Sequence, residues 1–208
     1  LSEIDSINRY KDEFVRSINF RLRSDVPVGT CLSGGIDSSS IAGIAADRYT
    51  MESGIQFKGI HAKSSEAKTD ESVYAEIVAQ AKNIDLYTIM PTSEEFKEIL
   101  DDAFYTQEEP FSSPSVIMQY FVMKKAKELG CIVMLDGQGG DETLLGYAWY
   151  YPAYLISFTP FNFLIAFFQS LIHSSLSLRE LIAYLFYFPS YKIRRWRQKR
   201  KCYFLKDE

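Results

Sequence analysis

Three cysteines in 208 residues, Cys31, Cys131 and Cys202, form no C-x-x-C pair, and only His61 and His173 could join them in a metal site. That scarcity excludes a zinc ribbon and a disulfide scaffold. Cys31 and Cys131 each lie in or beside a short apolar run, so the expectation is a free thiol packed as a small hydrophobe in a reducing compartment. No G-x-x-x-x-G-K-[ST] string occurs, which rules out a Walker loop. No signal peptide opens the chain, which begins Leu1-Ser2-Glu3 without Met, as a fragment of a longer protein would. Residues 147–178 contain no Asp, Glu, Lys or Arg. From Arg179 onward the tail carries a net +6, which leaves −10 on the rest of a chain whose total is −4. An acidic body argues against a nucleic-acid partner, since phosphate contacts need a basic face.

What is present describes a globular protein, with 47% hydrophobic and 24% charged residues in a chain long enough for one ordinary core. Ile4, Ile7, Phe14, Ile18 and Leu22 recur at helical spacing and predict an amphipathic helix over about 3–23. An apolar strand at 26–32 runs into Ser33-Gly34-Gly35 and then a small-residue helix at 38–46. Further strands are predicted at 56–62, 86–90 and 131–135. A helix over 70–83 should carry Val73, Ile77, Val78 and Ala81 on its apolar side. Another, at 94–104, follows a Pro91-Thr92-Ser93 cap, and a third at 116–129 closes at Gly130. The alternation implies an α/β fold, a doubly wound parallel sheet over 1–150, followed by a helical, aromatic-rich C-terminal segment over 151–208. Such sheets bind ligands beyond the carboxyl ends of their strands, and two glycine-rich turns fall there.

Ser33-Gly34-Gly35-Ile36-Asp37-Ser38 is the stronger of the two signals. Adjacent glycines open conformations closed to other residues, so successive N–H groups can form an anion-binding nest backed by a helix N-terminus. Ser33, Ser38 and Ser39 add hydroxyl donors. Asp37 would repel a phosphate unless a cation stood between them, and Mg²⁺ takes one or two carboxylates together with phosphate oxygens. A tight strand-to-helix turn with a capping side chain is the plainer alternative. Asp136-Gly137-Gln138-Gly139-Gly140-Asp141-Glu142, followed by Gly146-Tyr147, sets three carboxylates on the second turn. Alone, that loop is equally compatible with a solvated acidic turn.

The first string resembles the PP-loop of ATP pyrophosphatases, which cleave ATP between the α and β phosphates. The pair of loops resembles the synthetase domain of glutamine-hydrolysing asparagine synthetases, with its adenine-nucleotide α-hydrolase-like fold. Asp70-Glu71-Ser72 and Glu109-Pro110-Phe111 are supporting matches, and the resemblance covers roughly residues 2–151. It implies that Ser33, Gly34, Gly35, Asp37 and Ser38 hold the ATP phosphates and that Leu32, Ala62, Asp136 and Gly137 surround the adenosine. It further implies that Asp37 and Asp141 bind Mg²⁺ and serve catalysis. The reaction implied is attack of an aspartate carboxylate on the α-phosphate, giving an acyl-adenylate and pyrophosphate, after which ammonia displaces AMP. Two anions must approach one another, so backbone donors and a cation are needed to offset their repulsion.

The chain departs from the family pattern in the second loop, where Gln138 replaces a Glu tied to amide formation and Asp136 replaces a Ser. Gln138 is uncharged and cannot act as a general base. With Tyr150-Tyr151-Pro152 behind it, this loop resembles relatives from bacterial surface-polysaccharide biosynthesis. The acceptor is therefore aspartate or a related carboxylate, with Gln138, Glu142 and Glu108 as candidate acceptor residues. Glu108 stands where the family usually has Asp. The family also implies a glutaminase domain as ammonia source and a longer helical C-terminal part; this sequence supplies neither, so 151–208 is expected to be a truncated helical extension. Another PP-loop adenylating enzyme, for instance one acting on tRNA, and a non-catalytic relative remain as alternatives. Residues 155–172 approach bilayer-spanning length, and seven Lys or Arg follow between 192 and 201. Pro152, Pro160, Asn162 and Gln169 interrupt the run. The reading is a cytoplasmic protein whose aromatic helices are covered by another part of the protein, with a peripheral membrane contact as the alternative.

Overall fold

The computed structural model describes residues 2–186 except 67, 68, 112, 145, 174–176 and 184. The basic cluster at 192–201 and Cys202 therefore lie outside the described residues. The chain divides into two compact units, Leu1–Gln138 and Gly139–Glu208. This division falls earlier than the sequence boundary after residue 150 and passes through the second glycine loop.

The first unit holds four parallel strands, β1 (Val28–Cys31), β2 (Lys58–Ala62), β3 (Asp85–Ile89) and β4 (Val133–Leu135), in the order β3-β2-β1-β4. The chain moves outward from β1 to β3 and then returns to lay β4 on the other side of β1. That reversal makes the gap between β1 and β4 the topological switch point of the sheet, where α/β proteins bind ligands. Register is set by backbone pairing of Gly29 with Lys58 and Met134, and of Thr30 with Gly59 and Leu135.

Helices cover both faces. On one lie α1 (Glu3–Arg21), α2 (Ile36–Ser53) and α3 (Ser72–Ala81), which bury Ile18, Ala42, Ala45, Ala46, Ala75 and Ala79 against Val28, Leu32, Phe57 and Leu135. Alanines at these contacts let the helix backbones come close to the sheet. On the other face α6 (Ser115–Glu128) packs Val122 and Ala126 against Ile60 and Cys131. α4 (Ser93–Glu98) and α5 (Leu100–Gln107) form a third cluster with α6 around Ile99, Ala103 and Ile117.

Three local expectations change. The helix predicted over 94–104 is two helices, because Ile99 (φ −90°, ψ −4°) turns its buried side chain toward Ala103 and Ile117. The predicted apolar side of α3 is largely solvent-exposed: Val73 and Ile77 face outward, while Ser72, Ala75 and Ala79 are buried. Small residues won that contact because larger side chains would hold α3 off the sheet. In α1 only the C-terminal half of the predicted stripe is used, with Ile18 buried, Phe14 packed beside it, and Ile4 and Ile7 exposed. Its N-terminus carries a capping box between Ser2 and Asp5.

The second unit is helical. It contains α7 (Gly140–Leu144), a 3₁₀ turn (Ala148–Tyr150), α8 (Tyr151–Ile156) and α9 (Pro160–His173), with a further helical stretch from Leu178. Ser157, Phe158 and Thr159 separate α8 from α9, and among the described residues no helix is long and apolar enough to cross a membrane. Tyr154 packs edge-on against Phe158 at 4.9 Å, and Leu155, Ala166 and Leu181 are buried. Phe161, Leu164, Ile165, Phe168 and Ile172 of α9 remain exposed.

Phe57 has no exposed surface and sits 5.2 Å from the Tyr49 ring. Phe57→Ala is expected to lower unfolding free energy by about 3–5 kcal/mol, read as a shift in the urea midpoint at unchanged slope.

Candidate functional site

Where β1 ends, the chain turns through residues 33–38 into α2. Gly34 takes φ +95°, and a Cβ built there would lie 2.8 Å from the Glu71 carbonyl oxygen and 3.0 Å from the Ala75 nitrogen. Both the backbone conformation and the space therefore require glycine. Gly35 is the N-cap of α2 and supplies no side-chain cap. The N–H groups of Gly34, Ile36, Asp37 and Ser38 consequently make no intramolecular hydrogen bond among the described residues. An open row of donors at the positive end of an 18-residue helix is suited to an anion.

The serine hydroxyls act differently from expectation. Ser38 Oγ lies 2.8 Å from Ser33 Oγ, accepts the Ser33 N–H at 3.2 Å and donates to the Gly35 carbonyl at 3.2 Å. Ser33 Oγ in turn accepts the Gly35 N–H at 3.2 Å. These bonds brace the loop from within. Ser39 Oγ is buried without a hydrogen-bond partner among the described residues. The half-exposed Asp37 carboxylate has neither a hydrogen bond nor an ion pair among the described residues.

The second loop begins against the first. A Cβ on Gly137 would lie 2.9 Å from the Ser38 nitrogen and 3.2 Å from the Asp37 carbonyl carbon and Cβ. Backbone meets backbone here, with no room for a side chain. Asp136, at the end of β4, is held by Gln119 of α6, whose amide donates to Oδ2 at 3.2 Å and approaches Cys31 Sγ at 3.7 Å. Burial, and then the negative charge of Asp136, push the Cys31 thiol up to about 11. Gln119, Asp136 and Gln138 line a cavity of about 1020 Å³ that continues along α6 past Lys124. Ala62 closes β2 and lines a second cavity, of about 850 Å³, with Lys63, Met90 and Lys97.

The first unit thus gathers Leu32, Ser33, Gly34, Gly35, Asp37, Ser38, Asp136 and Gly137 around the switch point, with Ala62 on the neighbouring strand. Glu108 caps α5, exposed, with φ +59°, next to Gln107, which lines the larger cavity with Asp136 and Gln138. Asp141 and Glu142 belong to the second unit. There Gly146 lies against the Asp141 side chain, and the Glu142 charge, burial and the Asp141 carboxylate push the Tyr147 phenol upward. Sequence reasoning missed Gln119, whose only signal is an amide set between Met118 and Tyr120 in an otherwise apolar helical run.

Comparison with known proteins adds a family. Residues 9–202 match the family model described as asparagine synthase. The glutamine-hydrolysing asparagine synthetase 1 of Bacillus subtilis is 33% identical over 145 residues, covering 68% of this chain and 21% of that protein. The amidase chyE of Penicillium rubens is 27% identical over 156 residues, covering 70% of this chain and 23% of that protein. This chain therefore spans less than a quarter of the length of either relative. Among solved structures, the NH3-dependent NAD synthetase from Campylobacter jejuni aligns with a TM-score of 0.42 and 21% identity, covering 66% of this chain and 60% of that one.

With its thiol titrating near 11, Cys31 should hold only about 0.1% thiolate at pH 8. Peptide-resolved iodoacetamide labelling at pH 8 is expected to leave Cys31 unmodified in the folded protein and to modify it rapidly in urea.

Proposed function

The chain belongs to the asparagine synthase family, and we propose that the two glycine loops of its first unit bind ATP for the adenylating half of an amide ligation. The observation that supports this most is the backbone contact of Gly137 with Ser38, which joins the open N–H row of the first loop to the start of the second. In this reading the ATP phosphates lie over the N–H groups of Gly34, Ile36, Asp37 and Ser38. The adenosine lies toward Leu32, Ala62, Asp136 and Gly137.

Asp37 suits Mg²⁺ by its chemistry, a carboxylate without a hydrogen bond or ion pair among the described residues beside the phosphate nest. Asp141 is the second carboxylate that the resemblance assigns. Magnesium commonly keeps only one or two protein ligands, so the lack of any cluster of three or more metal-binding side chains among the described residues is no obstacle. When bound, the ion would neutralise phosphate charge. The work of the chain's own residues is to orient the α-phosphate and to donate hydrogen bonds to its oxygens as negative charge builds.

The acceptor carboxylate oxygen then attacks the α-phosphorus, the bond to the β-phosphate oxygen breaks, and pyrophosphate leaves with that electron pair. Ammonia attacks the acyl carbon and AMP departs. The acceptor is aspartate or a related carboxylic acid, the ammonia derives from glutamine hydrolysed by a glutaminase domain, and the setting is the cytoplasm. Gln138 in place of a charged Glu removes a negative charge and a general base from this loop, which is why a related carboxylic acid stands beside aspartate in this reading.

The protein supplied with ATP, Mg²⁺, ammonium and aspartate is expected to release pyrophosphate in an aspartate-dependent manner. Release that follows another carboxylate would reassign the acceptor, and release of phosphate, or no ATP binding, would sink the reading. Asp37→Asn is expected to cut pyrophosphate release by on the order of 10²-fold, and Gly34→Ala to weaken ATP binding, both measured by coupled pyrophosphate assay and calorimetry.

A further inference from the structure

His61 is 2% exposed, and nothing in the proposed chemistry uses it. It sits next to the end of β2, with Nδ1 2.9 Å from the Leu32 carbonyl oxygen and Nε2 3.0 Å from Ser72 Oγ. Ser72, 5% exposed, opens α3 and donates both its hydroxyl and its N–H to Asp70 Oδ1, the latter at 3.1 Å. Those two bonds hold the Asp70 carboxyl below its ordinary range. At the surface, Asp70 Oδ2 lies 3.7 Å from Lys63 Nζ.

The arrangement has the residue types of a hydrolase triad in the wrong order. The serine stands in the middle and is buried, and the second ring nitrogen of the histidine meets a backbone carbonyl instead of a carboxylate. Its position suggests another role. Leu32 is the last residue before the first glycine loop, and its N–H is already fixed to the Ile60 carbonyl at 2.9 Å. The Leu32 residue is 1% exposed, so its carbonyl would be buried and unpaired without His61. The first turn of α3, which Ser72 anchors, is the backbone that closes the space behind Gly34.

We infer that His61, Ser72 and Asp70 are positioning residues that preset the first glycine loop, His61 by holding the Leu32 carbonyl and Ser72 by seating α3 against Gly34. The functional part of this inference rests on the reading of that loop as the ATP phosphate site. Donors that must face a developing charge act best when their supports are locked before the ligand arrives. The relay supplies that lock at the end of β1, in addition to the internal serine bonds.

Two measurements on Ser72→Ala, Ser72→Thr and Asp70→Asn test it. Hydrogen–deuterium exchange of the hydrogen-bonded amides of Leu32, Ser33 and Gly35, resolved by NMR without nucleotide, is expected to quicken about tenfold in Ser72→Ala and Asp70→Asn. Ser72→Thr, which keeps the hydroxyl, should restore the wild-type rate. Calorimetric ATP affinity is expected to fall about tenfold in the same two variants and to recover in Ser72→Thr. Unchanged exchange in the loop, or a lowered melting temperature with unchanged loop exchange and ATP affinity, overturns the inference. If the wild-type protein binds no ATP, the functional reading fails, while the exchange comparison still decides whether the relay sets the loop.

Discussion

The first unit is organised by a close approach that leaves no room for a side chain at Gly137: its backbone lies against Ser38 and Asp37. For the two loops to meet, β4 must lie directly beside β1, although more than a hundred residues separate them in the chain. Parallel pairing then requires a crossover, and the crossovers lay helices on both faces of the sheet. Alanines on α2 and α3 let those helices approach closely enough to bury Phe57, Val28 and Leu32. Fold and site therefore share one requirement, close backbone approach, met by small residues at every contact where it is needed.

Electrostatics at this edge of the sheet follow from what is left unpaired. Four N–H groups of the loop and the first turn of α2 have no acceptor among the described residues, and Asp37 stands among them with no partner there. A donor row and a free carboxylate together suit an anion that brings its own cation, which is how the proposed use of ATP and Mg²⁺ accounts for both. Asp136 is not free in this sense. Gln119 holds it, and its charge helps to keep the Cys31 thiol neutral. A neutral thiol beside the proposed nucleotide site is chemically quiet, consistent with a small packing residue instead of a nucleophile.

The uncharged run of the second unit, which Pro152 and Pro160 already interrupt in the sequence, folds as two helices among the described residues. Ser157, Phe158 and Thr159 interrupt it, and Pro160 starts α9, where its missing N–H costs nothing. The helix buries Ala166 and Ser170 and leaves Phe161, Leu164, Phe168 and Ile172 exposed. Exposure of so many large apolar side chains along one helix is unusual for a surface that stays in water.

Sequence by itself determined the alternation of strands and helices, the two glycine loops and the cap before α4, because each depends on local pattern: period two or 3.6, Gly-Gly after an apolar run, or Thr92 ahead of Glu95. It also specified Gly34 and Gly137 as special, through their motifs. It did not determine which face of α3 would be buried, since Val73 and Ile77 are as helical in spacing as Ala75 and Ala79, and only distance to the sheet chooses between them. Nor could it connect His61 to Leu32 and Ser72, or Gln119 to Asp136. Those pairs are 29, 11 and 17 residues apart and carry no shared spacing. They exist because parallel strands bring distant chain segments to one edge, where a buried polar group must find whatever partner the packing has placed beside it.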